Sequence, residues 1–78
     1  MPLAMLKVKA PSSVRSEILQ IVEHFRAKTV DMTEDTLIVQ VTGDTAKLDA
    51  MVAMMKKFGM MEIVRTGKIL MTRGGSKT

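Results

Sequence analysis

Apolar and polar residues alternate from Leu3 to Ala10, with Leu6, Val8 and Ala10 on one parity and Met5, Lys7 and Lys9 on the other. A two-residue period predicts a strand with one buried face. Pro11-Ser12-Ser13 follows, a proline suited to a first helical turn or the approach to it, with two hydroxyls able to cap free N–H groups. Val14, Ile18, Ile21, Val22 and Phe25 then recur at spacings of three and four, which predicts an amphipathic helix to about Arg26. Its far side, with Arg15, Glu17, Gln20 and Glu23, is polar enough to face water.

Lys28 to Met32 and Thr36 to Thr42 are rich in Val, Thr and Ile and flank the polar Thr33-Glu34-Asp35, a pattern that predicts an antiparallel hairpin. In the second of these strands Leu37, Val39 and Val41 share one parity, against Thr36, Ile38 and Gln40 on the other. Gly43-Asp44 ends the strand, and Asp44 is placed to cap a helix whose apolar face runs through Leu48, Met51, Val52, Met55 and Phe58. Gly59 is the expected C-terminal glycine. Met60 to Arg65 reads as a fourth strand, with Met61 and Ile63 alternating against Met60, Glu62 and Val64, and Thr66-Gly67 breaks it.

The order strand, helix, strand, strand, helix, strand is that of a ferredoxin-like α+β domain, a four-stranded antiparallel sheet with both helices on one face. The other face is then uncovered. From parity it displays Met5, Lys7 and Lys9, then Thr29 and Asp31, then Thr36, Ile38 and Gln40, and finally Met60, Glu62 and Val64. That mixed surface holds enough Met, Ile and Val to favour a partner over bare solvent.

The 78 residues suit one domain spanning 1–78, in which Gly74-Gly75-Ser76-Lys77-Thr78 reads as a flexible tail. A domain this small buries only about 60% of its unfolded surface, so a homodimer or a higher even-numbered assembly is expected, with Met5, Ile38, Met60 and Val64 as the self-association face. Cysteine is absent, which removes disulfides, thiolate nucleophiles and cysteine metal sites. Tyr and Trp are absent too, leaving Phe25 and Phe58, so the stacking rings that hold single-stranded nucleic acid are lacking and no nucleic-acid partner is expected. The net charge of +4 lies wholly in the last third: from residue 56 onward six Lys/Arg face Glu62 alone. No membrane partner is expected either, because the longest apolar run, Ala50 to Met55, falls far short of the ~20 residues that span a bilayer. With no signal-peptide pattern at its start, the chain reads as cytoplasmic.

His24 is the single histidine, and neither companion metal ligands nor a nucleophile accompany it in the sequence, so it reads as a surface residue; only an oligomer gathering copies around an axis would give it company. Glu34 and Asp35 are ordinary turn formers. Met51 and Met55 lie on the helix stripe as core, whereas Met54 falls off it and, with Met5 and Met60, suits an interface. Thr66-Gly67-Lys68 lacks the following Ser or Thr and the helix that a phosphate loop needs.

A run of short words spans Arg15 to Gly74: Arg15-Ser16-Glu17-Ile18-Leu19-Gln20, Phe25-Arg26-Ala27-Lys28, Val30-Asp31, Val41-Thr42-Gly43-Asp44, Lys47-Leu48-Asp49-Ala50, Phe58-Gly59, Glu62-Ile63-Val64-Arg65-Thr66-Gly67-Lys68 and Arg73-Gly74. In their order and spacing they resemble the C-terminal domain of the small, regulatory subunit of acetohydroxyacid synthase, also called acetolactate synthase. Met51, Met54, Met55, Met60 and Met61 stand where such domains more often carry Leu, Ile or Phe, a swap of similar volume.

The resemblance implies a non-catalytic regulatory and assembly domain in branched-chain amino acid biosynthesis, with no active site, cofactor or metal of its own. Thiamine diphosphate, flavin and magnesium would belong to the large catalytic subunit, the implied partner. The ACT domain that precedes such domains in the family is missing from this sequence. Within the closing words, Arg65, Gly67, Lys68 and Arg73 are expected to contact that partner, the arginines as planar forks for carboxylates and Gly67 as a turn that lets another backbone approach. The competing reading is a free-standing ferredoxin-like dimer that binds a small metabolite or metal at its subunit interface.

Overall fold

A computed structural model describes residues 2–66. The elements follow in the order β1 (Leu3–Lys9), α1 (Ser12–His24), β2 (Lys28–Met32), β3 (Thr36–Thr42), α2 (Thr45–Lys56) and β4 (Met60–Arg65). The strands form one antiparallel sheet in the order β2-β3-β1-β4. This is the expected ferredoxin-like arrangement. The proposed tail at 74–78 lies outside the described residues, as does the strand break at Gly67.

The core follows the alternation. Ala4, Leu6 and Val8 of β1 pair with Val41, Val39 and Leu37 of β3, and all six are buried beneath the helices. Ile18, Ile21 and Val22 of α1 and Leu48, Met51 and Met55 of α2 close over them, so these two methionines serve as core. Burial of a side chain of this size contributes about 1.5–3 kcal/mol, which is why these strands adopt one register and no other.

Helix ends are settled in three different ways. The Asp44 carboxylate accepts from the Lys47 N–H at 2.8 Å, as its position predicts. At the start of α1, however, Pro11 occupies the cap position with no side-chain hydrogen bond, and neither Ser12 nor Ser13 acts as the cap: both already lie inside the helix. The C-terminus of α1 comes at His24, two residues before the expected end, because Arg26 takes a left-handed conformation at φ 55°. The Arg26 N–H donates to Glu23 O and the Ala27 N–H to Val22 O, the paired closure usually built on glycine. Beyond α2, Gly59 has φ 84° and its carbonyl accepts from Lys9 N–H at 3.1 Å, which ties the start of β4 to the end of β1.

Arg15 departs from the water-facing position assigned to it by helical periodicity. Its Nε donates to Ala10 O at 2.9 Å, and one terminal nitrogen donates to Thr33 O at 2.6 Å and Glu34 O at 3.0 Å. One side chain thereby joins the first turn of α1 to the β1 exit and to the β2–β3 turn. The Ala10 N–H donates to Asp35 O at 2.7 Å in the same region, so the hairpin tip is docked on the body of the domain.

Candidate functional site

Both outer strands carry one residue more than their neighbours accommodate. In β2, Thr29 pairs with Val39 and Asp31 with Ile38, so Val30 is inserted; in β4, Glu62 pairs with Lys7 and Met60 with Val8, so Met61 is inserted. Each bulge reverses the parity of what lies beyond it. Thr29, assigned to the uncovered face by simple alternation, is therefore on the helix side, and Lys28 takes its place on the uncovered side opposite Gln40. Met60, assigned to the uncovered face and to self-association, instead pairs with Val8 and packs against the core. Met61 remains exposed, lining an open hollow of ≈ 440 Å³ with Lys9, Pro11, Asp35 and Thr36.

The uncovered face is thus two complete rows running across the sheet. One reads Lys28, Gln40, Met5, Val64 and the next Asp31, Ile38, Lys7, Glu62. At its centre Met5, Ile38 and Val64 surround a shallow hollow of ≈ 140 Å³ with Lys7 and Glu62 at its rim. Val64, 60% exposed, is the most open large apolar side chain among the described residues. Cross-strand pairing of Lys7 with Glu62 places opposite charges side by side and leaves this surface neutral at its middle. A neutral, shallow, half-apolar surface suits contact with another protein surface better than it suits capture of a small charged molecule.

Arg65 occupies a different side of the sheet. It pairs with Ala4 on the helix side, and its terminal nitrogen donates to Asp49 of α2 at 2.7 Å. The Nε of the same fork is buried without a hydrogen-bond partner among the described residues. Arg65, expected to reach another subunit, therefore spends one edge of its fork on its own domain. Gly67, Lys68 and Arg73 lie outside the described residues. His24 is exposed and meets Phe25 edge to face, with ring centroids 5.0 Å apart. Among the described residues no three His, Asp or Glu side chains are grouped to hold a metal, and no helix is long and apolar enough to cross a membrane.

The fold occurs in known proteins. The family model described as the small subunit of acetolactate synthase matches residues 2–74. The chain belongs to that family. Among acetolactate synthase small subunits, that of Aquifex aeolicus is 50% identical over 72 residues, covering 91% of this chain and 38% of that protein. The probable small subunit of Methanothermobacter thermautotrophicus is 49% identical over 73 residues, covering 92% of this chain and 44% of that protein. A crystal structure of the Thermotoga maritima small subunit superposes with a TM-score of 0.78 at 33% identity, over 85% of this chain and 40% of that one. The chain spans less than half the length of these small subunits.

Within this member of the family, the two bulges and the Arg15 contacts are the features that sequence reasoning missed. No residue type announces them. Val30 and Met61 look like ordinary strand residues, and Arg15 falls on the polar side of its helix by period alone.

Proposed function

We propose that this chain is a non-catalytic regulatory and assembly module of acetolactate synthase, acting through association with its own copies and contact with the large catalytic subunit. Membership of the small-subunit family over residues 2–74 is the observation that carries the reading. The uncovered face supports it: Met5, Ile38 and Val64 offer a surface for another protein. In this reading the chain works in the cytoplasm, and the effect on the enzyme is a coupling free energy between subunits, transmitted through interfaces. The segment that starts at Arg65 and runs through Gly67, Lys68 and Arg73 contacts the large subunit, with Arg65 braced from behind by Asp49.

The test is a titration of this chain into the large subunit, read by co-purification and by synthase activity. The chain alone has no synthase activity, forms a complex and alters the turnover of the large subunit. Loss of an arginine from a buried interfacial pair costs about 2–5 kcal/mol, so Arg73→Ala and Arg65→Ala each bind roughly tenfold more weakly or worse. Absence of any complex at micromolar concentrations of both proteins sinks the reading.

A further inference from the structure

The Val30 bulge has an electrostatic consequence. Lys28 and Asp31 stand three residues apart and would point to opposite faces of a regular strand. With Val30 inserted, both lie on the uncovered side, opposite Gln40 and Ile38, which are successive same-face positions of β3. A positive and a negative charge therefore sit one step apart, about 7 Å, at the same edge of the face. Both side chains are exposed, and neither is in an ion pair among the described residues.

We infer that a second copy of this chain covers the uncovered face with its own, about a two-fold axis crossing the strands midway between the two rows, so that Lys28 of each protomer meets Asp31 of the other. The inference rests on the self-association proposed above and specifies its register. Stacked sheets keep their strands within about 30° of each other at a separation of about 10 Å, a gap that a lysine stem and an aspartate bridge together.

Charge selects among the two-fold arrangements open to this face. An axis through the first row sets Lys28 against Lys28, and one through the second sets Asp31 against Asp31. An axis along the strands exchanges the two edges and sets Asp31 against Glu62. Midway between the rows no like charges oppose: Lys28 meets Asp31 twice, the Lys7 stem lies over Met5, and Ile38 and Val64 come under cover. Lateral growth of the sheet is disfavoured for a separate reason, since the bulges at Val30 and Met61 interrupt both outer ladders and blunt strand addition.

The experiment is sedimentation of the full chain at low salt, comparing the parent with Lys28→Asp, Asp31→Lys, the Lys28→Asp/Asp31→Lys exchange, and Val64→Lys. Each charge reversal weakens the dimer by roughly tenfold or more, and the exchange restores it to within about threefold of the parent, because the pairs re-form with inverted sign. Far-UV circular dichroism identical to the parent shows that all variants are folded. If neither reversal weakens the dimer, or if the exchange fails to rescue, while Val64→Lys still dissociates it, the face is right and this register is wrong. If Val64→Lys leaves the dimer intact, or the parent is a monomer at high micromolar concentration, the face itself is not the site of association and both readings fall.

Discussion

Replacing Arg15 by methionine removes the guanidinium and keeps an unbranched stem of similar reach. Three backbone carbonyls lose their donor: Ala10 O at 2.9 Å, Thr33 O at 2.6 Å and Glu34 O at 3.0 Å. A hydrogen bond from a charged donor contributes about 1.5–3 kcal/mol, but water takes over at the two exposed turn carbonyls, so the part-buried bond to Ala10 dominates and the total loss is about 2–3 kcal/mol. For a domain of this size each kcal/mol moves the thermal midpoint by roughly 4–8 °C, which places Arg15→Met about 10–20 °C below the parent. Arg15→Lys retains the charge but has no fork and reaches one carbonyl at a time, so it recovers less than half of the loss. The measurement is thermal and urea unfolding at matched protein concentration, since association with a second copy also stabilises the folded state. Amide exchange adds a local reading: the Thr33 and Thr36 amides, bonded to Thr36 O and Thr33 Oγ1, exchange faster in the variant than those of the β1–β3 ladder. A midpoint for Arg15→Met within about 2 °C of the parent refutes the idea that this side chain fastens the hairpin tip.

Two further outcomes follow from the helix ends. Arg26→Gly relieves a left-handed residue that is not glycine and raises stability by about 1 kcal/mol, seen as a higher midpoint; an unchanged or lower one shows that the Arg26 side chain contributes elsewhere. Asp44→Ala removes the acceptor for the Lys47 N–H and costs about 0.5–2 kcal/mol, whereas Ser12→Ala and Ser13→Ala, which cap nothing, are neutral within about 0.5 kcal/mol. Equal losses at Asp44 and at the serines contradict the capping described above.

The order of elements and the buried half of the sheet were legible from the chain because they depend on local periods, although the ends of α1 were not, since the left-handed Arg26 stops that helix at His24. Alternation in β1 and β3 names Leu6, Val8, Leu37, Val39 and Val41 as core, and the three-and-four spacing in α1 and α2 names Ile18, Leu48, Met51 and Met55, all of which are buried. Burial free energy acts on every one of these positions at once, so no single misfit could shift the pattern. The order of words from Arg15 to Gly74 also carried the family. On the uncovered side that constraint is absent, and there the chain was a poorer guide. Only pairing with β3 and β1 decides that Val30 and Met61 bulge out, which exchanges Thr29 for Lys28, sends Met60 to the core and leaves Met5, Ile38 and Val64 as the apolar centre. Likewise the long side chains of Arg15 and Arg65 find acceptors 16 to 19 residues away in sequence, at Thr33, Glu34 and Asp49. A bulge is a property of two strands in register, and an arginine's partner a property of whichever elements fold within its reach, so neither is written in the period of a single segment.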